Sequence, residues 1–200
     1  MTRTNFLFIF ICHLPYRHLS YYYPLYHLNH HGSHYSSYGL PSGQCKRTIT
    51  DTNCCLWSSW ICKTSNHTYF FGGDTGYCGD IFKQTGELYP VDFAAIPIGA
   101  YGTATERWFH KPNHQNPEEA VQCHQDIKSR QSIGVHWGTF MLTGEPLLEP
   151  PQKLAAAVAA AGLKKDAFVC LGHGETIIYD LVRNGPRDVE VLKTEEEITL

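Results

Sequence analysis

Asp92-Phe93-Ala94-Ala95-Ile96-Pro97-Ile98-Gly99 is an unbroken apolar run opened by a carboxylate and closed by a glycine. It is too short for a buried helix and does not alternate between apolar and polar, so it is expected to be a strand with both faces covered. Strands of that kind sit in parallel sheets, where neighbours are joined by long crossovers that are usually helical. The sequence downstream supplies helices of that kind. Asn116-Pro117-Glu118-Glu119 carries the signals of a helix start: a capping Asn, Pro at the first helical position and carboxylates in the first turn. Ala120, Cys123, His124 and Ile127 follow at helical spacing as its inward stripe.

Gln131-Ser132-Ile133-Gly134-Val135-His136-Trp137 then reads as a strand. A second helix is expected from about Pro151 to Ala161, stopped by Gly162, and Ala167-Phe168-Val169-Cys170-Leu171 as a last strand before Gly172-His173-Gly174. Upstream, Leu56-Trp57-Ser58-Ser59-Trp60-Ile61-Cys62 and Thr68-Tyr69-Phe70-Phe71 flank the turn-like Lys63-Thr64-Ser65-Asn66 and form a hairpin. Strand, helix, strand, helix, strand defines an α/β layered domain.

The first 43 residues differ in composition from this body. Phe6 to Cys12 is apolar but far shorter than the ~20 residues that span a bilayer, and no small-residue cleavage site follows it. Residues 16–42 are rich in Tyr, His, Ser, Leu and Gly and have no period that would bury a face. His27, His30, His31 and His34 are crowded but lack the partners that would hold them rigid, so residues 1–43 are expected to be a disordered low-complexity leader. The remaining domains are residues 44–185 and a tail, 186–200. Lys+Arg 16 against Asp+Glu 19, a net charge of −3, leaves no basic stripe for a phosphate backbone and excludes nucleic acid as a partner. The eight cysteines include no CxxC pair, which fits reduced thiols of an intracellular chain.

Three polar residues follow apolar strands: Asp74 among glycines, His136 before Trp137-Gly138, and His173 between glycines. Strand ends of an α/β sheet open onto the crevice where ligands bind, and carboxylate with imidazole is a donor set for a zinc-type ion. Each position also has a plain structural reading: a turn aspartate, a core histidine and a loop histidine.

The segments Leu56 to Trp60, Phe70 to Cys78, Asp92 to Tyr101, Arg107-Trp108-Phe109, Pro117 to Ala120, His136 to Phe140 and His173-Gly174-Glu175 together resemble the C-terminal half of the N-acyl-phosphatidylethanolamine-hydrolysing phospholipase D family, within the zinc-dependent metallo-β-lactamase superfamily. The resemblance covers about residues 44–180. It implies a metallo-β-lactamase-like αββα sandwich of which this chain holds the C-terminal half. It also implies release of N-acylethanolamine and phosphatidic acid from a membrane phospholipid, a two-Zn2+ cofactor, peripheral membrane contact, and a possible homodimer in the cytoplasm or on endomembranes. Asp74 matches the carboxylate that bridges the zincs and acts at the catalytic centre, and His136 matches a metal ligand. His114 matches a catalytic histidine near the substrate phosphate, and His173 a possible support behind the ligands.

The chain departs from the family pattern in two places. It contains no H-x-H-x-D-H segment, and Gly43-Gln44-Cys45-Lys46-Arg47 stands where the family has Gln-His-Trp. Of the family's metal ligands only Asp74 and His136 remain, which is too few for two zincs. The expectation is therefore a truncated chain that binds zinc poorly and turns over little lipid. The alternative is a noncatalytic chain that pairs with an intact subunit. A soluble phosphoester or lactone hydrolase is disfavoured by Trp57-Ser58-Ser59-Trp60 and Arg107-Trp108-Phe109, which look like the phospholipase.

Overall fold

The computed structural model describes residues 9–12, 23–24, 38–39, 41–42, 57–63, 67–177 and 191–192. Its strands in chain order are β1 (Ile9–Cys12), β2 (Tyr23–Pro24), β3 (Tyr38–Gly39), β4 (Pro41–Ser42), β5 (Trp57–Lys63), β6 (Thr68–Phe71), β7 (Phe93–Pro97), β8 (Gln131–Val135), β9 (Phe168–Val169), β10 (Thr176–Ile177) and β11 (Val191–Leu192). The helices are α1 (Gly79–Leu88), α2 (Arg107–His110), α3 (Pro117–Asp126) and α4 (Glu149–Ala160). One sheet runs in the order β1-β5-β6-β7-β8-β9, with β4 also pairing β5.

The sheet is mixed. The β5–β6 hairpin is antiparallel, Ile61 opposite Phe70, while β6-β7, β7-β8 and β8-β9 are parallel. Each parallel step is bridged by a helix, α1, α3 and α4 in turn, as the apolar run at 92–99 requires. Every strand and helix expected from the sequence between residues 57 and 169 is present, with α1 and α2 in addition. Within 1–43, β1 lies beside β5 and β2 pairs β3. Apart from these strands and β4, that segment, His27 to His34 included, and the tail 186–200 apart from β11 lie outside the described residues. No helix among the described residues is long and apolar enough to cross a membrane.

Ala94 and Ile96 of β7, Ile61, Phe70 and Phe168 of the sheet meet Phe82 of α1, Ala120, Cys123 and Ile127 of α3, and Leu154 and Val158 of α4 in one core. The α3 start is as its sequence indicates: the Asn116 side chain accepts from the Glu119 amide, and the Glu119 carboxylate accepts from the Asn116 amide. The second helix begins at Glu149, ahead of the expected Pro151, because both prolines fall in a first turn that needs no proline amide. Cys78, Cys123 and Cys170 are free thiols.

Helix α1 has no counterpart in the sequence reading. Its Cys78 cap makes no side-chain bond, and Gly79 and Gly86 depress helix propensity. Gly86 is there for contact: a Cβ at that position would stand 2.2 Å from the Asp126 carbonyl oxygen, so only glycine lets α1 lie against the end of α3. Phe82, fully buried and edge-on to Phe70, anchors the helix to the sheet.

His124, on the inward face of α3, pairs its Nδ1 with the Ser132 hydroxyl at 2.8 Å and stacks on Phe168. Burial pushes its pKa from 6.5 down to about 4. Between those two values the unfolded chain takes up a proton that the folded chain refuses. Stability is therefore full above pH about 6.5 and declines as pH falls toward 4. Urea midpoints measured at pH 7 and pH 5 should show this loss, and His124→Gln should reduce it. An equal pH response in the variant would show that His124 is not its source.

Candidate metal centre

Asp74 leaves β6 in Gly72-Gly73-Asp74-Thr75-Gly76, where Gly73 takes φ 60° to turn the chain. The Gly72 amide still bonds the Ala95 carbonyl at 2.8 Å, so the turn starts from a fixed strand end. His136 occupies the matching exit of β8, two strands away, with a left-handed φ of 61°. That conformation in a bulky residue costs on the order of 1–3 kcal/mol and collects at functional sites. Gly99, at the exit of β7, makes the turn possible: a Cβ there would lie 2.2 Å from the His136 carbonyl oxygen.

His114 arrives from a different direction, on the strap between α2 and α3. The strap is packed backbone to backbone on the loop that carries Asp74: a Cβ on Gly76 would sit 2.4 Å from the Lys111 carbonyl, and the Gln115 amide bonds the Thr75 carbonyl at 3.0 Å. Arg107 clamps the strap from behind. One guanidinium nitrogen donates to the His114 carbonyl at 2.7 Å, and another meets the Glu119 carboxylate that also caps α3.

The result is a compact trio. His136 Nε2 lies 3.1 Å from Asp74 Oδ1, the His114 and His136 rings are 5.3 Å apart, and one donor atom from each of the three residues lies within 4.8 Å of the others. The hydrogen bond to His136 holds the Asp74 carboxyl below its ordinary range, and the same bond raises His136. Burial, reinforced by the His136 charge, pushes His114 down to about 4, so its imidazole is neutral at pH 7. His114 Nδ1 is buried without a hydrogen-bond partner.

Such a set fits a divalent cation. A neutral imidazole and an ionised carboxylate are the ligand forms of these side chains, and His114 Nδ1, buried without a protein partner, is a polar atom left for a group outside the chain to satisfy. Three protein donors with an open position is the pattern of one catalytic zinc-type ion. The structure thus brings Asp74, His114 and His136 together. His173 stays outside, exposed, with its ring 5.3 Å from Trp137 and its edge over Gly138. Arg107 and Gln115 were not singled out from sequence as holders of His114. The nearest signal was the capping box at Asn116 and Glu119, which shows where the strap must end but not what grips it.

The family model described as the beta-lactamase superfamily domain matches residues 34–137, just over half of the chain. The chain belongs to that superfamily, in agreement with the expected metallo-β-lactamase-like α/β fold. It is 48% identical over 137 residues to N-acyl-phosphatidylethanolamine-hydrolyzing phospholipase D 1 of Caenorhabditis elegans, covering 67% of this chain and 37% of that protein. It is 38% identical over 137 residues to the mitochondrial N-acyl-phosphatidylethanolamine-hydrolyzing phospholipase D of Saccharomyces cerevisiae, 67% of this chain and 28% of that protein. A metal-dependent hydrolase of Pyrobaculum aerophilum is 29% identical over 108 residues, 54% of this chain and 41% of that protein. The chain spans about a third of the length of the two phospholipases.

Replacing Arg107 by Leu should release the strap and let water reach His114. Titrated by NMR, the His114 ring should then move from about 4 toward its ordinary 6.5, with Arg107→Lys restoring part of the depression. An unmoved His114 titration in Arg107→Leu would show that the clamp does not hold this residue.

Proposed function

We propose that this chain carries part of the catalytic centre of a zinc-dependent hydrolase of phospholipase D type, acting on the phosphodiester of N-acyl-phosphatidylethanolamine to give N-acylethanolamine and phosphatidic acid. The convergence of Asp74, His114 and His136 at the exits of β6, the α2–α3 strap and β8 carries this reading. The identity to the two named phospholipases supports the substrate class. A divalent cation bound at the trio would act as a Lewis acid on a phosphoryl oxygen and lower the pKa of its bound water.

The chain's own residues prepare that chemistry. Asp74 stays ionised and offers its carboxylate. His136, oriented by its bond to Asp74, offers one imidazole. His114 offers the other, already neutral. His114 is assigned to the ion rather than to the phosphate, because without it the described residues would supply only two donors, fewer than such an ion takes. A second reading, a noncatalytic chain that pairs with an intact subunit, draws on the same trio: the resemblance implies two zincs, and these donors serve one.

The lipid substrate brings a membrane surface with it. Trp108 and Phe109 of α2, and Phe140, Met141 and Leu142 beyond β8, are all exposed, and they support peripheral contact with that surface. The Ala-rich α4 does not: it buries Pro150, Leu154 and Val158 and works as a packing helix.

With His114 counted as a third donor, the expectation of poor zinc binding, which rested on two ligands, is replaced: calorimetric titration of the purified chain should find one tight zinc per chain, lost in Asp74→Ala and His136→Ala. Incubation of the zinc form with N-acyl-phosphatidylethanolamine in mixed micelles should release N-acylethanolamine. Zinc binding without product favours the noncatalytic reading, and absence of stoichiometric zinc contradicts both the centre and the assignment of its ligands.

A further inference from the structure

The loop after β7 and the loop after β8 are joined by two carboxylates that cross in opposite directions. Glu145, on the β8 loop, accepts from the Gly102 amide at 3.0 Å. Glu106, on the β7 loop, accepts from the Gly144 amide at 3.2 Å. Each also ties down its own loop: Glu145 takes the Thr143 hydroxyl, and Glu106 takes the Thr103 amide at 2.8 Å and the Thr103 hydroxyl at 2.9 Å. Both cross-loop donors are glycines because the crossing is so close. A Cβ on Gly144 would stand 2.7 Å from Glu106 Oε2, and one on Gly102 would stand 2.9 Å from the Glu106 Cβ. Beneath the crossing lies a cavity of about 300 Å³ lined by His136, Trp137 and Glu145, with Phe140, Met141 and Leu142 at its edge.

The crossing joins the carriers of the two histidines of the trio. His136 is the residue at which the β8 loop leaves its strand, with φ 61°, so the course of the loop and the direction of the imidazole are set at one position. The β7 loop leads through Thr103 and Glu106 straight into α2, whose first residue, Arg107, holds the His114 carbonyl at 2.7 Å. The Arg107 amide bonds the Thr103 carbonyl at 2.9 Å, so the turn that Glu106 closes is the turn that aims the guanidinium. Glu145 is only 9% exposed, and its two donors offset the cost of burying its carboxylate. Its charge reaches both imidazoles, adding to the Asp74 bond that raises His136 and opposing the burial that lowers His114.

We propose that Glu145 and Glu106 are positioning residues of the metal centre: their crossed bonds to Gly102 and Gly144 fix the loop that leaves His136 against the loop that leads to Arg107, and so set the separation of His136 and His114. The inference rests on the metal-centre reading above and adds two residues that belong to neither the trio nor its direct partners. Both act through backbone amides, so an oxygen acceptor of the right length is what each position requires.

The test compares Glu145→Ala and Glu106→Ala with Glu145→Gln and Glu106→Gln in the full chain. Three quantities are read: zinc affinity by calorimetry, the urea midpoint, and, in EDTA, the nuclear Overhauser contact between the His114 and His136 rings. Both alanine variants should lose roughly tenfold in zinc affinity and weaken the ring contact. Both glutamine variants, which keep the acceptor, should restore most of each. Glu106 is partly exposed, so its alanine variant is expected to fold and carries the test alone if that of the buried Glu145 does not. Affinity and ring contact unchanged in Glu106→Ala, with or without a lower urea midpoint, overturn the proposal, as does an equal loss in the glutamine variants. If the parent chain takes up no zinc, the metal reading fails by itself and the ring contact in EDTA decides: weakened by alanine and kept by glutamine supports the positioning role, and kept in all four variants overturns it.

Discussion

Parallel pairing in register is the constraint on which the rest depends. β6, β7 and β8 run side by side with Phe71 opposite Ala95 and Pro97 opposite Val135, so their carboxyl ends finish along one edge of the sheet. Every strand that ends there must turn, and a turn is where a polar side chain can be displayed without breaking a ladder. Asp74 and His136 are displayed in that way. β7, between them, contributes no member of the trio; it contributes Gly99, whose missing side chain leaves room for the His136 backbone.

The third member of the trio does not belong to the sheet. His114 is delivered by a strap laid on the loop after β6 and held by Arg107, and its burial there keeps the imidazole neutral. The centre therefore combines two kinds of precision. The sheet sets the separation of Asp74 and His136, and the strap sets the depth of His114. A strained φ at His136 and an unpaired Nδ1 on His114 are local costs, offset by the core that fixes the elements around them.

Much of the scaffold was legible because its signals are local. The apolar run at 92–99, the Asn-Pro-Glu-Glu start of α3 and the glycine after α4 each state their element within a few residues. The positions of Asp74 and His136 at strand exits were legible for the same reason: His136 directly follows β8, and Asp74 follows β6 after two glycines. α1 was not, because its glycines serve the contact with α3 rather than the helix itself, and propensity cannot see a neighbour. The place of His114 in the trio was not legible from pattern either. Its approach depends on backbone packing between Gly76 and Lys111 and on a guanidinium seven residues upstream, neither of which leaves a periodic trace. The exposure of Phe140 to Leu142 runs against the ordinary burial of such residues, and the cavity they edge became visible only with the loop in place.

The central claim, that one ion is held by two imidazoles and one carboxylate drawn from β6, β8 and the strap, is tested most directly by X-ray absorption at the zinc edge on the zinc-loaded chain. The account predicts a first shell of nitrogen and oxygen at about 2.0–2.2 Å, with the outer-shell scattering of two imidazole rings. A sulfur shell at about 2.3 Å, or a single imidazole, would contradict it.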